Sequence, residues 1–250
     1  MTRLIRAELM KVRSTKLVWW LLLVVGALAA LGVAGTVFGA RPPDATPLES
    51  PEGLRSVFAS ANAAQLLAMI LGIVAMVGEW RHRTATATFL VTPRRERVVI
   101  AKVLAQAIVG LLFGAFATVV TVIAAVISLG VKNVDFSLGG DRIPEVLIGG
   151  ALATVVYSVL GVGYGALVRN QIAAIVSALL WVTVADTLLV ALLPQIGKWT
   201  PGGATQSLSQ LSGMNGDQLL PVWGGALLLV AYGLAFVVIG LRTTVSRDIT

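Results

Sequence analysis

The longest uncharged stretch of the chain, VLAQAIVGLLFGAFATVVTVIAAVISLGV (residues 103–131), decides the class of fold. A helix needs about 20 apolar residues to cross the hydrocarbon layer of a membrane. Lipid offers the backbone no hydrogen-bond partner, so such a stretch is expected to be helical. The composition agrees, because 57% of the 250 residues are hydrophobic and 12% are charged, whereas soluble domains carry about 25% charged residues. The chain is therefore predicted to be a polytopic membrane protein.

Five further apolar runs flank this stretch, and none shows the short alternating segments of a transmembrane barrel. We predict an all-α fold in a single transmembrane domain over residues 1–250. Six transmembrane helices, an N-terminal interfacial helix and a cytoplasmic helix between spans two and three make up this fold. The predicted spans are residues 17–39, 57–78, 99–129, 145–168, 171–193 and 221–241.

The orientation is predicted from the positions of the lysines and arginines, which favour cytoplasmic loops. Placing the N-terminus inside puts 14 of the 19 basic residues in the N-terminal segment, the second-to-third-span loop and the other inner segments. The acidic residues of the loops fall mainly on the other side. Both termini are thus predicted to be cytoplasmic, in a multi-pass protein of the cell membrane.

Most catalytic chemistry is excluded by what the sequence lacks. It has no cysteine and one histidine, His82, so thiolate metal sites and two-histidine motifs are absent. The phosphate-binding pattern GxxxxGK[ST] and the nucleophile elbow GxSxG do not occur. We therefore predict that the chain is not itself an enzyme and binds no cofactor or metal. The net charge of +7 reflects membrane orientation in this interpretation, and no nucleic-acid partner is predicted.

The segment before the first span, TRLIRAELMKVRSTK (residues 2–16), has an amphipathic pattern. Apolar side chains recur at helical spacing, while basic side chains gather on a neighbouring face. This pattern is typical of a helix that lies among anionic lipid headgroups. The alternative is a basic segment that only fixes orientation. The residues predicted to contact lipid are Arg3, Arg6 and Arg13.

Asp186 is the one ionisable residue deep within a predicted span. A carboxyl group in the membrane is costly, so its side chain is expected to face other helices or a wet cavity. One interpretation makes it a substrate- or proton-binding group on a translocation path that includes Tyr157. The other makes it a structural contact to a neighbour such as Tyr157 or Thr183. The polar stretch between Pro194 and Pro221 is predicted to be an ordered external loop that dips partway into the membrane.

Small residues at four-residue spacing predict close helix packing at three places. A glycine has no side chain, so two helix backbones can approach one another at such positions. The pairs are Gly35 with Gly39, Gly110 with Gly114, and Gly161 with Gly165.

The loop between the second and third spans, GEWRHRTATATFLVTPRRERVVIAK (residues 78–102), is the most basic segment. Trp80 is expected at interface height, and Thr92 with Pro93 is typical of a helix start. We therefore predict two helical pieces on the cytoplasmic surface. An anchoring loop needs only a few basic residues, so this ordered segment is a candidate docking surface for a soluble partner.

The same loop resembles the second-to-third-span loop of ABC-2 type permeases, the membrane subunits of ATP-binding cassette exporters. The motifs GALVRNQIAAIV (residues 165–176) and TPGGA (residues 200–204) are also similar to that family. The resemblance implies a coupling helix seated on a separate ABC ATPase subunit, which would bind the ATP and Mg²⁺. Family members often carry glycine where this chain has Arg83. The residues implied to contact the ATPase are Glu79, Arg81, Arg83, Thr84, Thr88, Phe89, Leu90, Pro93 and Arg95.

The resemblance further implies a second copy of the chain, or a homologous permease, with the translocation path between the two. The expected function is export of a drug, peptide or lipid-like substrate, driven by ATP hydrolysis in the partner. Two alternatives come from the residues: a proton-coupled secondary transporter that uses Asp186, and a non-transporting membrane scaffold.

Overall fold

A computed structural model of the chain describes residues 1–39, 46–81, 95–168, 170–211 and 219–245. At three helix ends, residues 79–81, 95 and 243–245, only the backbone is described. Within these ranges the ordered elements are helices, and they contain no strand. The predicted all-α class is confirmed for this part of the chain.

Six helices of the described chain are long and apolar enough to cross a membrane, as predicted. The second begins at Pro51, ahead of the predicted start at 57, with the Ser50 hydroxyl capping it by accepting a hydrogen bond from the Gly53 N–H. In chain order, spans 1 to 6 are Lys16–Phe38, Pro51–Gly78, Glu96–Val131, Ile143–Val168, Gln171–Leu192 and Val222–Arg242.

Spans 2 and 4 form the centre of the bundle and are its most buried spans. Span 4 packs against spans 2, 3 and 6, while span 1 packs on span 3. Spans 1, 5 and 6 bury few of their residues and expose many large apolar side chains, including Trp19, Trp20 and Leu192. A surface of this composition suits hydrocarbon and would be unfavourable in water.

Glycines bring the backbones of spans 2, 3 and 4 close together. A Cβ atom at Gly161 would overlap the backbone of span 2, and one at Gly110 or Gly114 would overlap span 4. The predicted close packing is confirmed at these positions. Gly35 makes no such contact within the described chain, because a Cβ there would meet no described atom within 4 Å.

Span 5 departs from regular helix at a single π-helical turn. Asn170 caps its first segment, because the side-chain Oδ1 accepts hydrogen bonds from the N–H groups of Ile172 and Ala173 at 3.0 and 3.1 Å. The π turn follows over Trp181–Ala185, and α-helix resumes at Asp186–Leu192. Such turns occur often at functional positions in helices.

Among the described residues, three shorter helices lie outside the spans. The N-terminal helix, Thr2–Ser14, precedes span 1. Between spans 5 and 6 the chain forms a single turn at Pro194–Gly197 and then a helix at Pro201–Leu208, which we name the loop helix. The predicted order of the loop between Pro194 and Pro221 is confirmed over the part that precedes residue 212.

Candidate functional site

The loop helix returns into the bundle, where it packs against spans 4, 5 and 6. Most of its residues are buried although the segment is polar in sequence. Burial is possible because its hydroxyl groups bond to their own helix: Thr205 donates to the Pro201 carbonyl at 3.0 Å and Ser207 to the Gly203 carbonyl at 2.8 Å. Thr200 caps the helix by accepting a hydrogen bond from the Gly203 N–H at 3.2 Å.

Asp186 lies against the N-terminus of the loop helix. Its side chain is 2% exposed and contacts the Thr200 side chain and the backbone N–H of Gly202. The first N–H groups of a helix carry a partial positive charge, which stabilises a carboxylate at this position. The segment after span 5 is therefore held inside the bundle partly by the acid that the sequence singled out.

Gly202 fits this contact because it has no side chain. A Cβ atom at this position would overlap the Oδ2 atom of Asp186. The other carboxylate oxygen, Oδ1, is buried and accepts no hydrogen bond from any described residue. The Oδ2 atom therefore contacts the loop helix, whereas the Oδ1 atom does not take part in holding it.

A cavity of about 320 Å³ lies between spans 2, 4, 5 and 6, beside the start of the loop helix. We name it the tyrosine cavity, because all three tyrosines of the chain line it. Five of its lining side chains are aromatic. The lining residues are Met69, Tyr157, Leu160, Tyr164, Ser177, Ala178, Trp181, Val182, Pro201, Tyr232 and Phe236.

The few polar groups of the tyrosine cavity are engaged with the protein. The hydroxyl groups of Tyr164 and Ser177 are 2.7 Å apart and share a hydrogen bond between spans 4 and 5. The Tyr232 hydroxyl donates to the Trp199 carbonyl at 2.9 Å. Because these hydroxyls are engaged, the rings are the main feature that the lining presents to a bound molecule.

Asp186 and Tyr157, the two residues predicted to lie on a translocation path, are brought together around the loop helix. Tyr157 is 2% exposed, and its hydroxyl is hydrogen-bonded to the Thr205 side chain. The Asp186 carboxylate interacts electrostatically with Tyr157 and with Tyr232. Thr183, the other neighbour considered, instead donates to the Leu179 carbonyl of its own helix at 2.7 Å.

A second buried acid, Glu8, lies where the N-terminal helix meets span 3. Its Oε2 atom is 2.6 Å from the ammonium nitrogen of Lys102, and both side chains are buried. Lys102 also donates to the Ala75 carbonyl of span 2 at 3.1 Å, and Lys11 pairs with the other Glu8 oxygen at 2.6 Å. We name this contact the Glu8–Lys102 pair, and it joins three helices.

The N-terminal helix presents two faces, as its sequence pattern predicts. Leu9 and Val12 pack against the core formed by spans 1, 2 and 3. The three arginines predicted to contact lipid, Arg3, Arg6 and Arg13, are exposed. Their contact with lipid headgroups stays a prediction.

The predicted ATPase-contacting residues fall largely outside the described residues. Residues 82–94 are not described, and this range contains Arg83, Thr84, Thr88, Phe89, Leu90 and Pro93. Glu79, Arg81 and Arg95 lie at the helix ends that flank this range, where the side chains are not described. The predicted coupling helix is therefore untested.

Sequence reasoning missed several residues of these two sites. Glu8 falls on the apolar face of an otherwise basic helix, and that position could have marked it as a buried partner for a lysine. The gathering of the three tyrosines carried no such signal, because Tyr157 and Tyr164 lie on span 4 whereas Tyr232 lies on span 6, far along the chain. The residues missed are Glu8, Tyr164, Trp181, Gly202, Tyr232 and Phe236.

Comparison with known protein families matches residues 4–185 to the family described as ABC-2 family transporter protein. The match covers well over half of the chain and includes spans 1 to 4 together with the loop between spans 2 and 3. A comparison with the curated proteins finds no match. With six spans and a family match of this extent, the chain belongs to the ABC-2 family of membrane transport proteins.

Proposed function

We propose that this chain is the permease subunit of an ABC exporter in the cell membrane, coupled to a separate ATPase subunit. The observation that carries the proposal is the family match over residues 4–185. ABC-2 membership implies pairing with an ABC ATPase, which would hold the ATP and Mg²⁺. The resemblance of the loop after span 2 to a coupling helix supports the same partner.

Contacts near the ends of spans 2 and 3 that flank this loop support a mechanical role for it. The Glu8–Lys102 pair and the Ala75 carbonyl tie the N-terminal helix to spans 2 and 3, close to where each span meets residues 82–94. A force applied at the loop would therefore act on three joined helices instead of one. In this proposal, ATP-driven closure of the partner moves these helices together, with a second copy or a homologous permease completing the path.

The experiment is purification of the tagged chain from its native membrane in mild detergent. We expect an ATP-hydrolysing subunit to co-purify, identified by mass spectrometry and by ATPase activity. A Phe89→Asp/Leu90→Asp double variant should lose that subunit, because it places two charges on the predicted docking surface. The control is Leu138→Asp, which adds a charge at an exposed position between spans 3 and 4.

Two outcomes contradict the proposal. One is a wild-type chain that purifies and transports without any ATPase. The other is a double variant that keeps its ATPase at the wild-type level. If transport without an ATPase is abolished by Asp186→Asn, the proton-coupled alternative takes the place of this proposal.

A further inference from the structure

We propose that the tyrosine cavity binds a lipophilic organic cation, and that such cations are the cargo of this permease. The assignment of cargo rests on the proposed function, whereas binding at the cavity does not.

The lining favours a cation over a neutral or anionic ligand. Aromatic rings carry negative charge on their faces and attract cations at about 6 Å or less, most strongly for tryptophan. Here five rings from three spans surround one space, and the set contains no lysine, arginine or histidine. The rings that line it are Tyr157, Tyr164, Trp181, Tyr232 and Phe236.

The buried carboxyl group behind the wall can supply a negative charge, and a cation bound nearby favours its ionised form. Asp186 interacts electrostatically with Tyr157 and Tyr232, both of which line the cavity. Within the described ranges it forms no ion pair, and its Oδ1 atom has no hydrogen-bond partner. The loop helix offsets this charge only partly, since a helix N-terminus carries about half a unit of positive charge. A cation in the cavity would complete the compensation.

The size and polarity of the cavity restrict the ligand to a compact apolar molecule. A volume of about 320 Å³ lies at the lower end of the range for small-molecule sites, which is about 300–1,000 Å³. The hydroxyls of Tyr164, Ser177 and Tyr232 are already engaged with the protein. A sugar or a peptide would leave its own polar groups without partners here, whereas a hydrophobic cation would not.

The π turn of span 5 contributes to the site. It places Trp181 on the cavity wall and Asp186 at the loop helix only five residues later. In a regular helix, Trp181 and Asp186 would be separated by five steps of about 100° around the helix axis. The wider π turn changes this angle between the two side chains. The distortion thus accompanies an arrangement in which Trp181 lines the cavity and Asp186, the acid of span 5, lies behind its wall against Gly202.

The test measures binding of tritiated tetraphenylphosphonium to the purified complex in lipid nanodiscs, with empty nanodiscs as background. Tetraphenylborate serves as a probe of the same shape and opposite charge. We expect saturable binding of the phosphonium that excess unlabelled phosphonium displaces and the borate does not. Equal binding of the two ions would overturn the proposal.

Variants locate the binding at the cavity. Trp181→Leu should weaken binding about fivefold, whereas Trp181→Phe, which keeps a ring, should weaken it about twofold. Trp181 is about half exposed, so its replacement leaves the core intact. The control is Trp223→Leu, an exposed tryptophan of span 6 outside the cavity, which should leave binding unchanged. Equal affinities of the two leucine variants would also overturn the proposal.

The same preparation tests the role of the Asp186 charge and distinguishes a failure of this inference from a failure of the proposed function. Asp186→Asn should weaken phosphonium binding about tenfold, since a buried charge acts at reduced dielectric. An intact ATPase partner with no saturable phosphonium binding contradicts this inference and leaves the proposed function standing. Phosphonium binding by a chain that has no ATPase partner contradicts the proposed function and the assignment as cargo, while the cation site itself stands.

Discussion

Two acids are buried in the part of the chain that the structure describes, and the two are held in opposite ways. Glu8 is ion-paired with Lys102 and Lys11, and the pair joins the N-terminal helix to span 3. Asp186 has no ion-pair partner in the described chain and contacts instead the Gly202 backbone N–H and the Thr200 side chain at the start of the loop helix. Glu8 is therefore compensated by full charges, whereas Asp186 is compensated by a partial charge.

This difference separates a structural role from a binding role. A paired buried charge is costly to disturb, because removing one partner leaves the other without compensation. A carboxylate on a helix terminus contributes much less to stability and keeps most of its field available. We therefore expect Glu8 to stabilise the fold and Asp186 to attract the ligand, and each role can be tested separately.

The largest effect is expected for Lys102→Met. The substitution keeps the apolar stem but leaves Glu8 buried beside the exposed Lys11 only, so we expect a loss of about 3–5 kcal/mol of stability. Thermal or denaturant unfolding of the purified chain in detergent measures the loss.

Two matched variants show whether the loss comes from the ion pair. Glu8→Gln/Lys102→Met removes both charges and should restore most of the stability. Lys11→Met removes the more exposed partner, whose side chain is 51% exposed, and should cost less than about 1 kcal/mol. If the double variant is no more stable than Lys102→Met, the loss of stability comes from packing and not from the ion pair.

An intermediate effect is expected for Gly202→Ala, because its Cβ atom would overlap the Asp186 carboxylate. We expect a loss of about 2 kcal/mol, in the range for overpacked sites, measured by the same unfolding assay. The matched control is Gly35→Ala, where a Cβ atom meets open space and alanine should be neutral or slightly stabilising.

The overlap itself is tested by combination with Asp186→Ala. If the carboxylate is the obstacle, Gly202→Ala should cost less in the Asp186→Ala background than in the wild type. If the losses in stability of the two substitutions are strictly additive, the strain in Gly202→Ala comes from a contact other than the Asp186 carboxylate.

The smallest effect on stability is expected for Asp186→Asn. The amide keeps the shape of the carboxylate and loses only its charge at the helix terminus, which is worth about 0.3–1 kcal/mol. The unfolding midpoint should therefore shift little, although phosphonium binding falls about tenfold. A loss as large as that of Lys102→Met would remove the contrast between the two acids and make Asp186 a structural residue.

The spans could be predicted from sequence because their signal is local. A run without charges, such as residues 103–131, reports its own length and hydropathy. The predicted start of span 2, at residue 57, is later than the observed start at Pro51, because Glu52 and Arg55 interrupt the apolar pattern. The signal that remained there was Ser50 followed by Pro51, a typical cap and first helical residue.

The tyrosine cavity could not be predicted, because its residues meet only through tertiary packing. Tyr157, Tyr164 and Tyr232 lie on two spans that are far apart in sequence. The sequence predicts the burial of the loop helix only as a partial dip into the membrane, since its serines and threonines look solvent-exposed until they bond to their own backbone. Sequence singled out Asp186 by its cost in the membrane, but it could not name Gly202 as the residue that accommodates it.

The loop helix has a consequence for how a cargo leaves. Its backbone is tightly packed: Gly203 lies against the Gly197 carbonyl, and Gly225 of span 6 lies against the Ala204 carbonyl, with no room for a methyl group at either glycine. Rotating side chains cannot open a passage past contacts made of backbone. If the proposed cargo leaves past the loop helix, this helix has to move as a unit, and that movement would break its contact with the Asp186 carboxylate.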